Sequence, residues 1–221
     1  MNTNSSMSTD SPMNTALSMI PHPHSRRHLP GRYGPSAVVG VVLAAGAATR
    51  FGGGKAVARY QGERLVDRAV ATLTAGGCDR VLVVVGAQDI GAVHHAILVL
   101  NADWDTGMGS SLRAGLSAAR DAGAVVVTLV DQPLIGAEAV ERVIEAWRDG
   151  AAIAVATYEG RRAHPVLFGR EAVSAVLPTL TGDAGARAFL AERDDVVAVD
   201  CTDTGRPDDV DTVEALRRLS P

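Results

Sequence analysis

The residues of this 221-residue chain with the clearest chemical potential lie between Leu43 and Lys55, where LAAGAATRFGGGK follows an apolar, β-branched run. Gly46, Gly52, Gly53 and Gly54 admit backbone angles closed to other residues and let amide N–H groups approach a ligand closely. Arg50 and Lys55 add positive charge, and such a loop suits a triphosphate. Two better-known phosphate loops are excluded by single residues. A Walker loop needs a glycine five residues before its Gly-Lys pair and a hydroxyl residue after it, where this chain has Thr49 and Ala56. The dinucleotide fingerprint fails because Gly46 is followed by Ala47, Ala48, Thr49, Arg50 and Phe51.

A magnesium nucleotide also needs a hard oxygen ligand, and one or two carboxylates suffice because the ion keeps waters and takes phosphate oxygens. Asp131 follows the apolar stretch Val125 to Val130 and precedes Gln132-Pro133. Taken alone it reads as a turn aspartate capping the next helix; beside a phosphate loop it reads as a ligand at a strand end. Asp211, in Asp208-Asp209-Val210-Asp211-Thr212, is by spacing an N-cap of the last helix, and Asp209 is an alternative because D-x-D leaves two carboxylates on one side of an extended chain.

The elements that must position these residues alternate. Val38 to Leu43, Val81 to Val85, Ile97 to Leu100, Ala124 to Val130, and Val196 to Val199 read as strands, and Ile153 to Tyr158 with His164 to Phe168 as a pair around Glu159-Gly160-Arg161. Helical spacing covers Arg64 to Ala75, Asp89 to Ala96, Ser110 to Arg120, Ala137 to Arg148, stretches near 170 to 177 and 184 to 192, and Thr212 to Leu219. His94 and His95 fall on the surface of the second of these helices. This order predicts an α/β fold with a mostly parallel sheet covered on both faces and ligands at the carboxyl ends of the strands. The glycine loop and Asp131 both belong there.

Composition agrees. Hydrophobic residues are 47% but aromatics only 4%, so the core must be aliphatic. A formal charge of -4 argues against a nucleic-acid partner held by a basic face. Cys78 and Cys201 form no spaced ligand motif, which makes a reducing cytoplasm the expected setting. Residues 1–36, rich in Ser, Asn, Thr and Pro, read as a disordered tail before a domain spanning 37–221; His22, His24 and His28 there lack a scaffold for a metal. Arg26-Arg27 before an apolar run mimics an export signal, but cleavage after that run would destroy the strand and its loop. No run reaches the roughly 18 apolar residues of a spanning helix, so no membrane is expected.

The pattern L-A-A-G-x-x-x-R-F-G-x-x-K resembles the signature of the molybdenum cofactor nucleotidyltransferases, within the superfamily of nucleotide-diphospho-sugar transferases with a Rossmann-like three-layer sheet. Further matches come in order: Asn101, Trp104, Gly107, Met108, Ser110 and Ser111 for N-x-x-W-x-x-G-M-x-S-S, then His164-Pro165, then Gly182-Asp183 to Arg187 for G-D-x-G-A-R, then Val210-Asp211-Thr212. The resemblance implies transfer of a nucleotidyl group to a cofactor phosphate with release of pyrophosphate. Arg50 and Lys55 would be the catalytic cations. Leu43, Ala44, Ala45, Gly46, Gly52, Gly53 and Ser110 would hold the nucleotide or the acceptor, with His164 and Asp183 on the acceptor side. Asp131 and Asp211 would hold Mg2+. LAAG resembles the cytidylyl type and LAGG the guanylyl type, so Ala45 points to CTP, with a phosphorylated pterin as acceptor. A molybdenum hydroxylase apoenzyme or its chaperone is a further partner in keeping with the resemblance. The rivals are a sugar-phosphate or other cofactor-phosphate transferase of the same fold, and a nucleotide-binding maturation factor without turnover. Ala48 departs from the family, which usually has Ser or Thr at or near that position.

Overall fold

The computed structural model describes residues 33–219 except Ala87 and Ala184, so most of the expected N-terminal tail lies outside the described residues. Within them the chain runs β1 (Val38–Leu43), β2 (Arg59–Tyr60), β3 (Glu63–Arg64), α1 (Leu65–Ala75), β4 (Arg80–Val85), β5 (Ala96–Leu100), α2 (Met108–Ala118), β6 (Ala124–Leu129), α3 (Ala137–Arg148), β7 (Ile153–Tyr158), β8 (Arg161–Gly169), α4 (Arg170–Val176), α5 (Arg187–Ala191), β9 (Val196–Asp200) and α6 (Val213–Leu219). Seven strands form one sheet in the order β5-β4-β1-β6-β8-β7-β9. The pairs β5/β4, β4/β1, β1/β6 and β7/β9 are parallel, and β8 runs antiparallel to both its neighbours. Antiparallel β7 and β8 follow from Glu159-Gly160, both left-handed (φ 51° and 76°), the two-residue turn whose twist matches a hairpin.

Alternating side chains of the fully buried β1 feed two apolar layers. Val38 and Val42 join the layer built with α1 and α3, while Val39, Val41 and Leu43 join the layer built with α2 and α4. Tyr33 already packs against the second layer, and Pro35 lies so close to Gly123 that a Cβ there would meet the Pro35 carbonyl. The packed chain therefore reaches slightly upstream of the boundary expected at 37.

One expected helix is absent. Residues 89–95 form an irregular loop, with Gly91 N–H bonded to Asp89 Oδ1 and left-handed backbone at Gly91 and His95. Ile90 and Val93 are buried, and the Arg64 guanidinium takes the carbonyls of Ile90 and Ala92, which a helix would have used itself. A parallel crossover this short leaves no room for a helix, so His94 and His95 lie exposed on a turn instead. No helix among the described residues is long and apolar enough to cross a membrane.

Candidate functional site

From β1 the chain goes outward through β4 to β5, then returns to the other side of β1 as β6. Loops leaving β1 and β6 therefore start side by side at the carboxyl end of the sheet, where open α/β sheets bind ligands. The first loop is the glycine loop and the second begins at Val130-Asp131.

Four left-handed residues shape the first loop, Ala48 and then Gly52, Gly53 and Gly54 (φ 49°, 84°, 90° and 65°). Phe51 is buried in the α1/α3 layer and anchors its middle. The amides of the glycines are used within the protein: Phe51 and Gly53 N–H donate to Ala48 O, Gly52 N–H to Thr49 O, and Gly54 N–H to Gln88 Oε1. Those of Ala45, Gly46, Ala47 and Ala48 have no protein acceptor among the described residues, and these four residues line the cleft together with Leu43, Ala44 and Lys55. The amides of Ala45 to Ala48 are thus donors available to a ligand, whereas that of Ala44 is taken by Val84 O. Gly52 and Gly53, expected at the ligand, use their amide N–H groups within the loop.

Lys55 opens a short 3-10 turn after Gly54 and sends its ammonium across the crevice. Its Nζ donates to Asp131 Oδ2 at 2.9 Å and to Asp211 Oδ1 at 3.0 Å, while Arg50 reaches Asp211 Oδ2 at 3.2 Å. Burial alone would lower the Lys55 pKa, but the two carboxylates outweigh it and raise the value above that of a free lysine. Asp211 is brought there by Val210, whose N–H donates to Asp131 O and whose side chain is buried. Asp209, the sequence alternative, turns the other way and accepts from Gln132 Nε2 at 2.9 Å. Asp131 Oδ1 is buried without a hydrogen-bond partner. That orphaned oxygen, beside a half-exposed Asp211, fits a hydrated divalent ion that takes its other ligands from phosphate. No cluster of three or more ligating side chains occurs among the described residues.

The opposite wall comes from α2 and the segment before it. Trp104, Asp105, Gly107, Met108 and Ser111 line the cleft, but Ser110 does not. Ser110 Oγ shares its one proton between the carbonyls of Asp103 and Gly107 and accepts from Asn101 Nδ2, so it holds the helix start in place. Asp183 lines the same cleft because its loop interlocks with the helix start: Gly109 N–H donates to Gly182 O, and a Cβ on Gly107 would lie 2.5 Å from Asp183 Oδ1. His164 lines an adjoining cavity with Arg162 and Arg187, and Met108 borders both spaces. Desolvation pushes the His164 imidazole down to about 4 against the opposing pull of Asp131, so it is neutral near pH 7. Sequence reasoning did not single out Gln88, Gln132 or Arg162. None belongs to a motif, and each enters through a fold contact between distant segments.

Residues 40–196 match the MobA-like NTP transferase domain. Nicotine blue oxidoreductase of Paenarthrobacter nicotinovorans is 41% identical over 196 residues, covering 82% of this chain and 96% of that protein. A probable molybdenum cofactor guanylyltransferase of Opitutus terrae is 34% identical over 127 residues, covering 57% and 63%. Among solved structures, the Mycobacterium sp. strain JC1 homologue of Mycobacterium tuberculosis Rv0371c is 30% identical, with a TM-score of 0.69 over 82% of this chain and 94% of that one. Rv0371c in complex with manganese is 26% identical, with a TM-score of 0.66 over 83% and 97%. Because the family match spans most of the chain and includes both the loop after β1 and Asp131 after β6, the protein belongs to the MobA-like NTP transferase domain family.

Proposed function

We propose that this nucleotidyltransferase moves CMP from CTP to the phosphate of a molybdopterin-type acceptor, in a magnesium-dependent reaction that releases pyrophosphate. The observation that carries this reading is the ammonium of Lys55 set between Asp131 and Asp211, beside the unpaired amides of Ala45 to Ala48. An oxygen of the acceptor phosphate attacks the α-phosphorus, and the bond to the pyrophosphate oxygen breaks as the new P–O bond forms. Amides of Ala45 to Ala48 hold the phosphates, and Lys55 and Arg50 offset the charge that builds on the α-phosphate and leaving group. No covalent nucleophile is needed. Asp131 and Asp211 would hold the Mg2+, which when bound would neutralise phosphate oxygens. Support for a divalent ion comes from the relative solved with manganese. CTP is favoured by Ala45 in the LAAG sequence, and the acceptor by the His164-Pro165 and Gly182 to Arg187 matches. A cytoplasmic setting suits the two cysteines, both free and buried.

Pyrophosphate release is measured with CTP, GTP and ATP against phosphorylated pterin and other phosphomonoester acceptors, with Mg2+ and Mn2+. Release with CTP and the pterin is expected, and tight nucleotide binding without release for any acceptor would overturn the reading. A second reading rests on the relative named for oxidoreduction of nicotine blue. Reduction of nicotine blue by a supplied two-electron donor, followed by absorbance, separates it from group transfer.

A further inference from the structure

Gln88 lies just beyond β4 and belongs to none of the motifs above, yet its side chain crosses to the glycine loop. Oε1 accepts from Gly54 N–H at 3.0 Å, and the other end of the carboxamide faces Gly53, where a Cβ would stand 3.3 Å from Nε2. That N–H fixes which end of the amide is which, since only the oxygen can accept. The backbone of residues 48 to 54 otherwise bonds only within residues 48 to 58 among the described residues. Gln88 is therefore the hydrogen bond that ties this backbone to the end of the neighbouring strand. It acts on the residue directly before Lys55, in a stretch whose three glycines resist reorientation weakly. Gln88 also lines the cleft beside Ala47 and Ala48.

We propose that Gln88 is a positioning residue that fixes the end of the phosphate loop, and through it the reach of Lys55 and the set of the Ala45 to Ala48 amides. The role rests on the triphosphate reading of the cleft. Two measurements test it: backbone amide exchange by NMR, and calorimetric binding of CTP and of inorganic tripolyphosphate, which lacks base and sugar. Gln88→Met keeps the length and loses the acceptor, whereas Gln88→Glu keeps an acceptor. In Gln88→Met the Gly54 amide should lose protection while β1 and β6 keep theirs, and affinity for both ligands should fall by a similar factor, about fivefold to tenfold. Gln88→Glu should restore protection at Gly54, which a space-filling role would not require. Unchanged Gly54 protection in Gln88→Met, loss spread through the whole sheet, or weakened CTP binding with tripolyphosphate untouched would each overturn the proposal. Wild-type protein that binds neither ligand would overturn the triphosphate reading itself, and the Gly54 exchange comparison would still decide whether Gln88 sets the loop.

Discussion

Lys55 and the two carboxylates it joins come from positions far apart in sequence, and each has a separable job. On the proposed mechanism, Lys55→Ala should lower turnover more than tenfold in a pyrophosphate-release assay, because the charge it would offset grows in the transition state. Asp131→Asn should weaken the metal dependence of turnover and of nucleotide binding in a Mn2+ titration; an unchanged titration would leave Asp131 as a structural partner of Lys55. The ammonium also stabilises the fold. Its pKa is raised on folding, so its contribution is complete below the ordinary lysine value and disappears as pH climbs through the folded value. Wild type should therefore lose more stability than Lys55→Met as pH rises above the ordinary lysine value of about 10.4 in denaturant titrations. His164 has the opposite sign for a base. Its folded pKa, about 4, lies below the ordinary 6.5, so stability is complete above pH 6.5 and falls as pH drops towards 4. His164→Gln should flatten that acid limb. At this scale the sequence named Lys55, Arg50, Asp131 and Asp211 from type and motif order. It did not show that the Gly52 and Gly53 amides and the Ser110 hydroxyl bond within the protein, because residue type does not reveal which way a hydroxyl or an amide faces.

Elements were legible where burial enforces a period. β1, β6, β7 and α3 are long apolar or strongly amphipathic runs, and their observed ranges agree closely with the expected ones. The stretch at 89–95 failed because its apolar residues at helical spacing are buried by a loop that Arg64 clamps from another element. Gly115 in α2 shows the same dependence on a neighbour. A helical Gly→Ala change usually stabilises by about 1 kcal/mol, but a Cβ here would stand 2.6 Å from Val41 Cγ1 of the fully buried β1. Gly115→Ala should destabilise by roughly 1 to 3 kcal/mol in chemical denaturation, the reverse of the propensity effect.

At the scale of the molecule, the site is completed by chain beyond the family match, which ends at residue 196. Leu216 of α6 is buried in the α1/α3 layer, and Tyr60 OH donates to Leu219 O, so the last helix holds the Asp211 segment against the crevice. Leu216→Ala should cost about 2 to 5 kcal/mol and should impair nucleotide turnover at temperatures where the sheet is still folded, measured by activity and circular dichroism on one sample. By itself the sequence determined that strands alternate with helices, that a glycine-rich loop with two cations follows the first strand, and that Asp131 and Asp211 come later, because hydrophobic period, glycine placement and charge are local properties. Only the tertiary structure decided the strand order that puts β1 beside β6, the choice of Asp211 over Asp209 at Lys55, and the tie from Gln88 to Gly54. Each of these is a contact between segments distant in the chain, and such a contact is set by packing geometry rather than by any local preference.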